Sequence, residues 1–207
     1  MRLLFYLNRT VQRVLAWSSI VFVGWLAVSR FSTNLAVIDS IRSTHFLQAC
    51  GVFALVAAVF LVLRRIHPVF GWRLVHVFKS DGRSGPPTNA NTLGLSMPFV
   101  WVVYGVCLIV SLPFFARVEE EVFRSDTQNW ADALWRSVLF GLVHMLIGIP
   151  LGAALALTVL GLWLTQVYFD GGIELSTQAH TAYNLIIFGG SFAFLVLLRF
   201  VRWWRAY

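Results

Sequence analysis

Long apolar runs, broken by short polar or basic segments, are the dominant pattern of this 207-residue chain. A transmembrane helix needs roughly 17–25 mostly apolar residues. By that length the pattern predicts about six membrane-spanning helices, near residues 12–29, 46–63, 97–118, 134–149, 151–168 and 178–198. Only Pro150 separates the fourth from the fifth, which indicates either a tight helical hairpin or a broken pair of helices. We therefore expect an all-α fold, a polytopic transmembrane helical bundle.

One segment divides the predicted helices into two groups. The first half of residues 67–96 mixes basic and apolar side chains, which is typical of a short amphipathic helix on a membrane surface. Its second half contains the run SDGRSGPPTNANTLG, whose turn-forming residues predict a flexible loop. The sequence thus predicts an N-terminal pair of helices over 1–66, this basic juxtamembrane segment, and a helical core over 97–207.

The composition agrees with a multi-pass membrane protein. Hydrophobic residues make up 58% of the chain and charged residues 12%, whereas a soluble domain has about half and a quarter. The net charge of +7 comes almost entirely from arginines that flank the apolar runs. That placement suits anionic lipid headgroups and the positive-inside rule, so we expect membrane lipids as partners and no nucleic acid. Counted by loop, the arginines favour cytoplasmic termini. The first apolar run is long for a signal peptide and further spans follow it, so we expect an uncleaved first helix.

Ionisable groups in or beside apolar spans are candidates for function, because each costs about 2.5–3.5 kcal/mol at a helix centre. One cluster, Glu119, Glu120 and Arg124, follows the third predicted span. Glu120 and Arg124 are four residues apart, so they share a helix face and can pair. The alternative interpretation is a solvated helix end.

Two further clusters lie in the fourth and sixth predicted spans. Phe140 and His144 form the first and His180 and Asn184 the second, each pair at the four-residue spacing of one helix face. Each histidine could instead be structural, bonded to a backbone carbonyl or lying at the interface, and Asn184 could be an interhelical contact. Because the third span ends at the face where the fourth and sixth begin, all three clusters are expected to converge in one cavity.

The ordered motifs Glu119-Glu120-xxx-Arg124, Phe140-xxx-His144 and His180-xxx-Asn184 resemble those of the CPBP family. That family comprises the CAAX prenyl endopeptidases and their bacterial relatives, often labelled bacteriocin-processing or abortive-infection proteins. The resemblance covers residues 97–207. It departs at Ser125, where the family pattern has glycine.

The resemblance implies an intramembrane endopeptidase that hydrolyses a peptide bond of a membrane-associated protein or peptide. A carboxylate in a poorly solvated pocket can act as a general base. By motif position, Glu119 would be that base, His144 would help to hold the water, and His180 and Asn184 would stabilise the oxyanion. Glu120, Arg124 and Phe140 would support them. A bacterial inner membrane is the expected location.

Other interpretations remain open at this point. Glu119, His144 and His180 could bind zinc as a two-histidine, one-glutamate set, although we favour a metal-free reaction without a cofactor. Facing carboxylates and histidines could instead form a proton- or ion-coupled transport site. A non-catalytic peptide-binding or immunity protein is the third alternative. The sequence does not identify the substrate.

Overall fold

A computed structural model describes residues 9–74, 98–194 and 197. Within these ranges the chain forms helices and turns and contains no strand, which confirms the predicted all-α class. The α-helices are α1 (Arg9–Ser29), α2 (Phe31–Asp39), α3 (Ser43–Ile66), α4 (Pro98–Phe123), α5 (Trp130–Val143) and α6 (Leu151–Asn184). Three short turns extend them, at Pro68–Gly71, His144–Ile147 and Leu185–Gly189.

In the described part of the chain, four helical stretches are long and apolar enough to cross a membrane. They are Ser43–Ile66, Val102–Phe123, Trp130–Ile147 and Leu151–Phe194. The pair formed by Trp17–Ser29 and α2, bent by 73°, counts as a fifth if the pair is one span. The structure therefore supports a membrane protein with four or five such spans. The predicted number of about six is not confirmed by this count, in which the fifth and sixth predicted spans lie in one helical stretch.

This last stretch folds back on itself. It has 44 residues and would be about 66 Å long if straight, twice the roughly 30 Å of a hydrocarbon core. The helical backbone breaks at Gly171 and Gly172, and Gly172 has a φ of +72°, which favours glycine. Leu160 and Tyr183 share one hydrophobic core, although a straight helix would separate them by about 35 Å. The two halves of the stretch therefore pack side by side.

The folded-back stretch is the centre of the bundle and packs against α3, α4 and α5. Glycines permit the closest of these contacts. A Cβ atom on Gly141 of α5 would lie 2.1 Å from the backbone oxygen of Ala154, and one on Gly161 would lie 2.7 Å from Cβ of Ser137. Close backbone approach of this kind replaces the hydrophobic effect as the source of helix association in lipid.

The bundle has two distinct ends. We call the first the site end. It contains the end of α4, the start of α5 and the reversal at Gly171–Gly172. There the Tyr168 hydroxyl donates a 2.7 Å hydrogen bond to the backbone oxygen of Ser125, and the Trp130 and Phe169 rings are 5.4 Å apart.

At the opposite end, α3 leads into the Pro68–Gly71 turn, and the Leu151 amide donates a 2.8 Å hydrogen bond to the backbone oxygen of Trp72. This turn stands where an amphipathic surface helix was predicted to start. The remainder of that predicted helix and the predicted flexible loop lie outside the described residues, over 75–97.

Candidate active site

The last turn of α4 carries the predicted carboxylate cluster. Glu120 and Arg124, four residues apart, both lie inside the bundle, with side chains 0% and 1% exposed. The Arg124 Nε atom is 3.6 Å from Glu120 Oε2, an ion pair as the spacing predicts. Glu119 points elsewhere and keeps 33% of its side chain exposed. The two adjacent glutamates therefore differ in their surroundings, one sealed among helices and one open to a space beside them.

His180 stands between these two glutamates. It lies in the second half of the folded-back stretch and is 2% exposed. Its Nδ1 atom is 2.8 Å from Glu120 Oε1 and, because a carboxylate only accepts, Nδ1–H donates this bond. Its Nε2 atom lies 3.6 Å from Glu119 Oε2. The bond to Glu120 thus fixes the ring, and the free nitrogen is directed toward Glu119.

Glu120 joins Arg124 to His180. Arg124 lies at one carboxylate oxygen and His180 at the other. Two nearby positive or proton-donating groups offset the cost of removing this carboxylate from water. The sequence predicted the contact with Arg124 from helical spacing. It did not predict the contact with His180, because 60 residues separate them and only the fold brings them together.

Phe140 forms an apolar wall shared by the three polar groups. The guanidinium carbon of Arg124 lies 4.4 Å from the centre of its ring, within cation–π range. The His144 and His180 rings meet it edge-on, with centroids 4.8 and 5.8 Å away. Phe140 itself is fully buried. It holds both histidines and the arginine at fixed positions and keeps water from that side of the cluster.

His144 lies where α5 ends and the short turn begins. Its Nδ1 atom is 2.7 Å from the backbone oxygen of Phe140, so Nδ1–H donates and Nε2 is left as an acceptor. The backbone bond expected for a structural histidine is therefore present. The ring is only half-buried, however, and its Nε2 atom makes no hydrogen bond to another described residue.

Asn184 is the last residue of α6, directly before the π turn at Leu185–Gly189. It lies one helical turn beyond His180, on the same face. The side chain is half-buried and forms no hydrogen bond with any residue in the described ranges. Its amide is therefore free to donate to a ligand. Turns of π type are frequent at functional sites.

Arg124 is bonded further into the bundle. Its Nη2 atom donates a 3.4 Å hydrogen bond to the backbone oxygen of Gly161, which also accepts one from the Thr165 hydroxyl at 2.9 Å. Burial lowers the pKa of the Arg124 guanidinium, and the Glu120 and Glu119 carboxylates oppose that change. Arginine stays protonated in proteins. It therefore supplies a permanent positive charge beside Glu120.

Ser125, where the family pattern has glycine, fits the local turn. Its hydroxyl donates a 2.6 Å hydrogen bond to the backbone oxygen of Glu121, and its own backbone oxygen accepts from Tyr168. The hydroxyl thus satisfies a carbonyl that the end of α4 leaves without a partner. The departure from the motif leaves the turn after Arg124 intact.

Glu119, His144 and His180 are the residues that the zinc alternative requires. Within the described ranges, no three His, Cys, Asp or Glu side chains stand together as ligands for a metal ion. Glu119 and His180 face each other, and the bond from Nδ1–H of His144 to the backbone oxygen of Phe140 leaves Nε2 as the ring nitrogen that a metal ion would bind.

Comparison with known proteins adds no assignment. No protein-family model matches the chain, and neither curated proteins nor solved structures gave a match. The site must therefore be interpreted from its own residues.

Proposed function

We propose that this chain is an intramembrane endopeptidase, which hydrolyses a peptide bond in a membrane-associated protein or peptide. One observation carries the proposal. His180 is held between a buried glutamate, Glu120, and a half-exposed one, Glu119, at 2.8 and 3.6 Å. A pair of this kind, ordered by a third group, is what general acid–base hydrolysis requires.

Glu119 is the proposed general base. Unlike Glu120, Arg124 and His180, it keeps part of its side chain exposed, and there it could accept a proton from a water molecule. The free Nε2 atom of His144 would hold that water. As the water oxygen attacks the substrate carbonyl carbon, its proton passes to Glu119. The same carboxyl then returns the proton to the leaving amine as the C–N bond breaks.

The developing oxyanion would be stabilised by the last helix. His180 donates Nδ1–H to Glu120, and its other ring nitrogen, Nε2, would donate to the oxyanion. The Asn184 amide, one turn away on the same face, provides a second donor. Donors of this kind are worth about 2.7–4 kcal/mol each in other hydrolases. Glu120 and Arg124 would act through His180, by fixing its ring.

The membrane topology is part of the proposal. We infer that Leu151–Phe194 crosses the membrane twice, with its reversal at Gly171–Gly172, and that α1 with α2 makes one further crossing. Six crossings result, in a bacterial inner membrane. The shared core of Leu160 and Tyr183 supports the double crossing.

The test compares membranes that contain the wild-type chain, Glu119→Gln or Glu121→Gln. Both substitutions remove one carboxylate charge from the same helix, but Glu121 lies on the exposed side and pairs with Arg117. N-terminal peptides released from the membrane proteins are identified by mass spectrometry. We expect a set of cleavage products in wild type and Glu121→Gln that is absent in Glu119→Gln.

The products would identify the substrate and the cleavage site together. If the three peptide sets are identical at equal expression, the endopeptidase proposal is wrong. Proton coupling of transport would then be measured in vesicles, and peptide binding by pull-down with both variants.

A further inference from the structure

The described acidic residues all lie toward one end of the molecule. The chain has nine, and Asp81 lies outside the described ranges. The other eight lie at the site end or in the segments that join helices there: Asp39, Glu119, Glu120, Glu121, Asp126, Asp132, Asp170 and Glu174. The described part of the opposite end therefore contains no carboxylate.

Within the described ranges, Arg64, Arg65 and Arg73 at the opposite end have no carboxylate partner. Arg64 and Arg65 close α3, Arg73 follows the Pro68–Gly71 turn, and all three are exposed. None forms an ion pair with a described residue. At the site end, by contrast, Arg117 and Arg136 each pair with a carboxylate. The unpaired charges attract an anion from outside the protein.

A groove lies directly beside two of these arginines. It has a volume of about 600 Å³ and is lined by Leu61, Val62, Arg64 and Arg65. Leu61 and Val62 are 59% and 57% exposed. The lining of the groove thus changes from apolar to cationic side chains within one turn of α3. A phospholipid has the same order of chemistry, an acyl chain followed by a phosphate.

The chain next to the groove is held in place. The amide of Leu151 donates to the backbone oxygen of Trp72, and Phe70 packs so closely on α6 that a Cβ on Gly152 would lie 2.9 Å from it. Trp72 is itself 39% exposed, as expected for a side chain at headgroup level. The segment that directly follows the arginines is therefore anchored on α6.

We propose that this groove is a binding site for one anionic phospholipid from the bilayer. The phosphate contacts Arg64 and Arg65, and an acyl chain lies along Leu61 and Val62. A zwitterionic lipid binds less well, because its own ammonium group meets the same two cations. The site is at the end away from Glu119 and does not depend on the endopeptidase proposal.

Native mass spectrometry of the full chain in a neutral detergent tests this proposal. The protein is titrated with phosphatidylglycerol or with phosphatidylcholine of the same acyl chains. We expect one tightly bound phosphatidylglycerol. The double variant R64Q/R65Q should bind it about 30-fold more weakly, since each arginine near a membrane surface contributes about fivefold. The control R30Q/R42Q loses the same charge at the site end and should bind as wild type does.

A second variant, Val62→Trp, distinguishes lipid binding in the groove from non-specific electrostatic attraction to the arginines. It leaves both arginines in place and fills the acyl part of the groove, so we expect weaker phosphatidylglycerol binding with unchanged charge. The proposal is overturned if phosphatidylcholine binds equally well, or if R64Q/R65Q binds normally. It is equally overturned if both double variants lose binding alike, or if millimolar inorganic phosphate displaces the lipid.

Discussion

The two ends of the bundle differ in the burial and pairing of their charged side chains. At the site end, Glu120 and Arg124 are buried to 0% and 1% exposure and are compensated by each other and by His180. At the opposite end, Arg64 and Arg65 extend from the last turn of α3 and meet no carboxylate in the described ranges. The site end thus contains a buried, mutually compensated set of charges, whereas the described arginines of the opposite end are exposed.

This difference separates two uses of charge in a membrane protein. A buried ion pair is weak support for stability, because desolvation cancels much of its attraction. A sequence that keeps one among apolar helices therefore does so for chemistry or for specificity. Exposed arginines at a helix end cost little free energy of desolvation. They orient the protein in the membrane and contact lipid headgroups. The comparison can be tested with variants whose effects we expect to decrease in the following order.

Arg124→Met should have the largest effect on stability. It leaves the Glu120 carboxylate buried without its permanent cation, and removal of one partner from a buried pair typically costs about 3–5 kcal/mol. The free energy of unfolding would be measured by titration with sodium dodecyl sulfate. Arg65→Met, the same change at the opposite end, should leave the curve almost unmoved. Equal destabilisation by both variants would remove the distinction between the two ends.

Asn184→Ala should affect turnover and leave stability alone. As a proposed oxyanion donor, Asn184 would stabilise the transition state by about 2.7–4 kcal/mol. Without it, kcat should fall about 100- to 1,000-fold with little change in KM. Asn129→Ala is the reciprocal control. Its side chain accepts hydrogen bonds from the amides of Ala131 and Asp132 at the start of α5, so its loss should cost about 1 kcal/mol of stability. A normal kcat for Asn184→Ala would contradict its assignment.

Gly141→Ala should loosen the packing that holds the site together. The added methyl group would lie 2.1 Å from the Ala154 backbone oxygen, and overpacking of this kind costs about 1–3 kcal/mol. Gly24→Ala places the same methyl in α1, where nothing lies within 4 Å. It should be neutral or slightly stabilising, because alanine favours a helix. The midpoint of thermal unfolding measures both, and a neutral Gly141→Ala would show that α5 and α6 are not in close contact.

Chelation should have the smallest effect. In the metal-free mechanism, cleavage of the identified substrate proceeds at the same rate after dialysis against 1,10-phenanthroline, at a concentration on the order of millimolar. Loss of cleavage that is restored by Zn²⁺, and not by Mg²⁺, would favour the zinc alternative with Glu119, His144 and His180.

Much of the helical framework follows from the apolar runs alone. The runs predict α3 and α4 and, with shifted ends, α5. They fail where a helix is too short to span, as in α2 with its nine residues, and where two spans meet without a polar loop. The predictions left residues 169–177 as a connection, yet the backbone leaves the helix only at Gly171 and Gly172. The paired glycines are the signal that would have located this reversal.

The sequence named the candidate site residues but few of the contacts between them. Helical spacing identified the pair formed by Glu120 and Arg124, since four residues bring two side chains to one face. Spacing says nothing about contacts between helices, so the bond from His180 to Glu120 could not be derived. Two further buried polar residues, Asn34 and His45, were not assigned to any function, and each has a nitrogen without a hydrogen-bond partner in the described structure.

The buried group formed by Glu120, Arg124 and His180 also constrains how such a sequence can evolve. Replacement of any one member leaves the others uncompensated in an apolar interior, so a single substitution passes through an unstable intermediate. Only joint replacement avoids that step. Among descendants of this chain, the three positions should therefore change together or stay as they are, whereas Arg64 and Arg65 can exchange with lysine one at a time.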